Sequence, residues 1–140
     1  MSRFVTTGDI EREQLDWGGL GWISRPELTG AKQLTVIDVS LEPGFGHDFH
    51  KHPEQEEVIV VQSGRVEQWL EGEKQELGPG EAVYIDADVV HASFNVGDAT
   101  ARLTVTLGPC AGDGGYELVE VAGEEPWASM RSAPGSDPGV

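Results

Sequence analysis

The sequence predicts an all-β protein with one antiparallel sandwich or barrel, and three observations carry this prediction. The chain has 140 residues with 19 glycines and 8 prolines, which favours a single domain with many turns. Short apolar runs return at intervals of roughly 8 to 12 residues, as in antiparallel β-folds. Helix signals are weak, and only GDIEREQLDW near the start could hold a turn of helix.

We divide the chain into three segments. Residues 1–32 are predicted to be an irregular leader that packs on the barrel or on a partner. Its two tryptophans, Trp17 and Trp22, are expected to close a barrel end or a dimer seam. Residues 33–122 are predicted to form the barrel. Residues 123–140 are small, polar and rich in proline and glycine, so a flexible tail is expected there.

The barrel strands are predicted from their alternation. QLTVIDVSL, residues 33–41, places apolar residues on one face. EEVIVVQ is apolar on both faces, which is typical of a strand buried on both sides. RVEQWLEG places Gln68 on the same face as two aliphatic residues. The remaining predicted strands lie in KQELG, PGEAVYID, HASFNV, RLTVTLG and YELVEV.

Composition excludes several classes of partner. With 9 basic and 25 acidic residues the net charge is −16, which argues against nucleic acid and against an anionic membrane surface. Cys110 is the only cysteine, so no intrachain disulfide or cysteine-ligated cluster is expected. No signal peptide is expected at the start, and no apolar run approaches the roughly 18 residues of a membrane span. We therefore expect a cytoplasmic protein with a small-molecule substrate.

Histidines in HDFHKHPEQEE indicate a metal site. His50 and His52 are two residues apart, so on a strand both side chains project to one face. A following hairpin could return Glu56 or Glu57 beside them. The fourth ligand would come from elsewhere, and His91 is the candidate. Histidines with one carboxylate suit a divalent transition-metal ion: Fe, Mn, Ni, Cu, Co or Zn.

The spacing of these residues resembles that of the cupin family. The first cupin motif is Gly, five residues, His-x-His, three or four residues, Glu, six residues, Gly. This sequence meets every interval with Gly44, His50, His52, Glu57 and Gly64. The six-residue interval before Gly64 favours Glu57 over Glu56 as the carboxylate ligand.

The second cupin motif lies further along the chain. Gly80, His91 and Asn95 match it with intact intervals. Asp86 stands where proline is usual and Asp88 where glycine is usual, and aspartate tolerates turn geometry and left-handed φ. The resemblance implies a single jelly-roll β-barrel. It also implies that one metal ion is held inside the barrel.

The ligands that the resemblance implies are His50, His52, Glu57 and His91. Three further residues are weak catalytic candidates: His47, Glu56 and Tyr84. On a regular strand His47 would face away from the two ligand histidines. Gln68 and Phe94 are pocket candidates. Asn95 is expected to bond the backbone near its turn.

Neither the predicted fold nor the cupin resemblance identifies the reaction. Four protein ligands would leave positions open for substrate, so the site is expected to be catalytic. We favour an oxidoreductase similar to quercetinases and diketone dioxygenases, acting on a chelating small molecule. A Lewis-acid isomerase or lyase acting on a sugar or uronate is the second hypothesis. A non-catalytic small-molecule-binding barrel is the third, and small cupins lead us to expect a homodimer.

Overall fold

Eleven antiparallel strands form two sheets in the computed structural model, which describes residues 3–131. In chain order the strands are β1 (Glu11–Leu15), β2 (Gly18–Ser24), β3 (Thr35–Leu41), β4 (Gly46–Lys51), β5 (Glu56–Ser63), β6 (Val66–Leu70), β7 (Glu73–Leu77), β8 (Ala82–Ile85), β9 (His91–Asn95), β10 (Ala101–Gly108) and β11 (Val119–Glu120). The six-stranded sheet has the order β1-β2-β3-β10-β5-β8, and the five-stranded sheet has the order β11-β4-β9-β6-β7. The predicted all-β jelly-roll barrel is confirmed.

Helical structure is confined to single turns among the described residues. A 3₁₀ turn covers Thr7–Asp9, α1 covers Pro26–Thr29 and α2 covers Trp127–Met130. Within residues 3–131, no helix has the length and apolar character needed to cross a bilayer.

The core lies between the two sheets. The alternation in β3 turns Ile37, Val39 and Leu41 inward, as the sequence predicts. Strand β5 differs from its prediction, because it is buried on one face only. Ile59 faces the core, whereas Val58 is 37% exposed. The outer face of this antiparallel sheet meets solvent, and Val58 lies on that face.

The leader differs from the irregular segment that the sequence predicts. Strands β1 and β2 form a hairpin with a two-residue turn, and β2 pairs with β3 so that Leu20 lies opposite Val39. Three glycines in DWGGLGW interrupt the apolar alternation, so the sequence pattern did not predict strand β2. Trp22 is buried in the core, and Trp17 sits in the hairpin turn.

The chain after β11 covers the outer face of the five-stranded sheet. Trp127 packs on Phe49 with ring centroids 5.6 Å apart, and the Arg131 guanidinium lies 3.7 Å from the ring centroid of Phe94. These residues enclose a second apolar cluster with Trp69. Residues 123–131 of the predicted flexible tail therefore pack on the barrel. The rest of that segment, residues 132–140, lies outside the described residues.

Candidate metal centre

Three strands bring the four predicted ligands together. His50 lies near the end of β4 and pairs across the sheet with His91, the first residue of β9. His52 follows directly after β4, and Glu57 is the second residue of β5. All four side chains are at most 4% exposed. The ligand atoms of the three histidines lie within 4.8 Å of one another, so they could hold one metal ion.

Buried polar atoms at this cluster lack partners. Oε1 of Glu57 lies 2.9 Å from Nε2 of His91 and 3.3 Å from Nε2 of His52. Neither contact is aligned as a hydrogen bond, and all three atoms are without a hydrogen-bond partner among the described residues. Buried polar atoms are normally satisfied. A cation between these atoms would satisfy them, so the donor set fits the metal ion that the cupin resemblance implies.

Backbone carbonyl groups fix the orientation of all three imidazoles. The contacts are Nδ1 of His50 to Asp48 O at 2.7 Å, Nδ1 of His52 to Glu117 O at 2.7 Å, and Nδ1 of His91 to Val89 O at 2.9 Å. Each Nδ1 is therefore the donor. In the neutral ring the lone pair then belongs to Nε2, which is the arrangement usual for metal-binding histidines.

Charge at the cluster suits a cation. Burial lowers the pKa of His50 well below its ordinary value, and His47, His91 and His52 lower it further. Burial raises the pKa of Glu57, but the neighbouring His52 and His91 outweigh it and bring the pKa to about 2. Burial lowers the pKa of His91, and Glu57 reverses this to a net rise. At neutral pH Glu57 is ionised and His50 is neutral, as metal ligands must be, whereas the rise in the pKa of His91 means that a metal ion there competes with a proton.

Two of the catalytic candidates lie outside the barrel. Glu56 is exposed and accepts a hydrogen bond from the Tyr84 hydroxyl at 3.2 Å. Tyr84 is 50% exposed and also donates to Asp86 at 3.0 Å. Glu57 pairs with the buried Ile85, so alternation turns the residues beside them outward. The structure therefore does not bring Glu56 or Tyr84 to the histidine cluster.

His47 lies beside the cluster, against the sequence expectation. The pairing of β4 with β9 shifts between His47 and His50, so β4 has one extra residue there. This bulge reverses the alternation and puts both histidines on the inner face. Their rings stack with centroids 3.6 Å apart, and Nε2 of His47 lies 3.0 Å from Oε1 of Glu120.

The two pocket candidates point in opposite directions. Gln68 is buried and accepts a hydrogen bond from Ser93 at 2.6 Å on the inner face. Phe94 belongs to the apolar cluster on the outer face, so its assignment to the pocket is wrong. Asn95, by contrast, bonds the backbone as predicted. It donates to Leu41 O and Ala99 O and accepts from Gly97 N.

An interior cavity adjoins the cluster. Its lining includes His50 and Glu57, and it has a volume of about 30 Å³. The remaining lining residues are mostly apolar: Trp17, Leu20, Ile37, Val39, Leu41, His47, Ile59, Ser93, Leu103, Val105 and Tyr116. Trp17 stacks on His47 with ring centroids 4.8 Å apart, so the tip of the β1–β2 hairpin contacts the site.

The sequence model of the cupin domain matches residues 37–107. The chain belongs to the cupin family. Its motif departures agree with this membership, because Asp88 has a left-handed φ of 68°, in the conformation that glycine otherwise supplies.

Known proteins extend the likeness of this cupin beyond the matched domain. It is 33% identical to the polyketide synthase CurC of Streptomyces cyaneus over 78% of this chain and 71% of that protein. It is 31% identical to protein SchB of Streptomyces halstedii over 79% of this chain and 80% of that protein. Among solved structures, a predicted oxalate decarboxylase from Thermotoga maritima has a TM-score of 0.68 at 17% identity, covering 76% of this chain and 98% of the other. That likeness concerns the fold.

Sequence reasoning missed two residues that contribute to the site of this cupin, Gln55 and Tyr116. Gln55 is 1% exposed, donates to Pro109 O and Gly115 O, and accepts from Glu117 N. It therefore holds the loop whose Glu117 carbonyl orients His52. Tyr116, on the same loop, lines the cavity, and burial raises the pKa of its hydroxyl, with Glu57 adding to the rise. No spacing signal links either residue to the histidines.

Proposed function

We propose that this cupin is a small metal-dependent oxidoreductase, a dioxygenase of the quercetinase or diketone-cleaving type. His50, His52, Glu57 and His91 would hold one divalent transition-metal ion. The observation that carries the proposal is the group of three buried, unpartnered polar atoms on oriented side chains. When bound, a redox-active ion would supply Lewis-acid and electron-transfer chemistry at its open positions.

The cavity supports a chelating, largely apolar substrate. Its walls are mostly aliphatic and aromatic, which suits a largely apolar ligand. Its small volume requires side chains to move before a substrate enters, and Trp17 in the hairpin turn, stacked on His47, is a candidate for that movement. One relative is named a polyketide synthase, and polyketides carry 1,3-dicarbonyl groups that chelate metals.

A Lewis-acid isomerase or lyase remains the second hypothesis. Such an enzyme needs a base near the ion and polar groups for a sugar or uronate. Glu56 and Tyr84 face outward, which leaves His47 as the adjacent candidate from the sequence. The apolar walls favour the oxygenase over this alternative. A non-catalytic binding barrel stays the third hypothesis.

Metal analysis and oxygen uptake test the proposal. The purified protein is expected to contain one equivalent of a redox-active metal and to consume oxygen with a flavonol or a β-diketone. The double variant His50→Ala with His52→Ala should lose both metal and oxygen uptake. Zinc as the only metal bound in the native host would contradict the dioxygenase. Unchanged metal content in the double variant would contradict the site itself.

A further inference from the structure

Tyr116 lies at the edge of the histidine cluster. Its ring centroid is 5.0 Å from that of His52, and its ring meets Trp22 edge-on at 5.4 Å. These contacts fix the ring against the core, and Tyr116 lines the same cavity as His50 and Glu57. Packing therefore sets the position of the ring, but it provides no hydrogen-bond partner for the hydroxyl among the described residues.

The Tyr116 hydroxyl is one of two hydroxyl groups on residues that line the cavity. Ser93 is the other lining residue with a hydroxyl, and it donates its proton to Oε1 of Gln68 at 2.6 Å. The Tyr116 hydroxyl has no hydrogen-bond partner within residues 3–131. Tyr116 is partly buried, and a tyrosine in such a position usually finds a hydrogen-bond partner for its hydroxyl. In a cavity that reaches two of the proposed ligands, a bound molecule can supply that partner.

We propose that the Tyr116 hydroxyl donates a hydrogen bond to an oxygen atom of the chelating substrate. This inference rests on the proposed function, because a substrate that chelates an ion held by His52 would bring its oxygen atoms near that residue. An enolate or carbonyl oxygen accepts such a bond, whereas an apolar isostere cannot. Tyr116 is therefore a specificity-determining residue, and it favours oxygen chelates over ligands that lack an acceptor there.

The chain has two tyrosines, which provides a matched pair of variants. Tyr116→Phe removes the cavity hydroxyl and keeps the packed ring. Tyr84→Phe removes a hydroxyl on the outer surface and serves as the control. Wild type and both variants are loaded with Co(II), and cobalt uptake is measured by titration. Acetylacetone, a small β-diketone, is then titrated while the visible absorption of the bound cobalt is followed.

All three proteins are expected to bind one cobalt ion with equal affinity. Acetylacetone should bind Tyr116→Phe about tenfold more weakly than wild type, the loss expected for one hydrogen bond to a charged acceptor. The Tyr84→Phe protein should match wild type. Equal acetylacetone affinity in Tyr116→Phe and wild type would overturn the inference and leave the proposed function intact. Cobalt-loaded wild type that binds no acetylacetone would contradict the proposed substrate class together with this role of Tyr116.

Discussion

One step along β5 separates two glutamates with different surroundings. Glu57 is buried with its carboxylate against His52 and His91, while Glu56 is exposed and meets Tyr84. The cupin interval to Gly64 favours Glu57 from sequence. The apolar run after the two glutamates does not decide between them, because its alternation becomes visible only once the sheet shows which face meets the core.

Glu57→Gln and Glu56→Gln therefore have different expected effects. Replacing Glu57 removes the anionic ligand, so metal affinity should fall by at least about tenfold, equivalent to about 1.4 kcal/mol. The Glu56→Gln protein should bind metal as wild type does. Isothermal titration with Co(II) measures both affinities. Equal losses in the two variants would show that Glu57 is not the carboxylate ligand.

Gln55 holds the loop whose Glu117 carbonyl group orients His52. Its buried amide makes three hydrogen bonds to the backbone of residues 109–117. Gln55→Ala should lower the free energy of unfolding by about 3 kcal/mol, because buried backbone groups lose their partners. Gln62→Ala is the control, since Gln62 is exposed and its side chain donates a hydrogen bond to Thr104. Chemical denaturation measures both, and a loss no larger than that of the control would contradict this role.

At the scale of elements, the bulge in β4 places His47 next to His50. The extra residue lies between these two histidines, and Gly46 precedes it. A Cβ at Gly46 would lie 2.1 Å from Ser93 O and 2.6 Å from Phe94 Cα. Glycine therefore permits the close approach of β4 to β9 at the start of the bulge.

Gly46→Ala should destabilise the fold and misplace His47. The overlap is with backbone atoms, which cannot move aside easily, so we expect a loss of about 2 kcal/mol or more. Gly123→Ala is the matched control, because a Cβ there meets nothing within 4 Å. Thermal and denaturant unfolding measure the two proteins. A Gly46→Ala protein as stable as wild type would contradict the close approach.

At the scale of the whole molecule, the proposed metal would join the two sheets. Glu57 belongs to the six-stranded sheet, whereas His50 and His91 belong to the five-stranded sheet. An ion bound to all of them would act as a cross-link that the unfolded chain lacks. Stability should therefore depend on metal concentration by mass action.

Removing the metal tests this coupling. At a free metal concentration of about 1,000 times Kd, binding contributes about 4 kcal/mol. For a domain of this size we expect chelation to lower Tm by about 10 °C or more, and added metal to restore it. Differential scanning calorimetry measures the change, and His91→Ala should show little dependence on metal. A Tm in wild type that ignores chelator would argue against a metal between the sheets.

The homodimer stays a prediction. The leader tryptophans that we considered for its seam are engaged within the chain, Trp22 in the core and Trp17 against His47. Sedimentation velocity across a range of protein concentrations measures the oligomeric state. A single species with the mass of one chain would contradict the dimer.

The sequence by itself determined the features that depend on neighbouring residues. Alternation predicts β3 and its inward aliphatic residues, and motif spacing selects the four proposed ligands. These features follow from strand geometry and from turn residues, and both depend only on residues a few positions apart in the sequence.

Only the tertiary structure decided which way the remaining side chains point. His47 faces inward because β4 bulges against β9, and the outward-facing Phe94 is buried because the chain after β11 covers that face. Gln55 and Tyr116 join the site through a loop held by long-range hydrogen bonds. The leader forms a hairpin whose strand β2 pairs with β3. Each of these depends on a partner strand or loop distant in sequence, and local periodicity carries no information about such a partner.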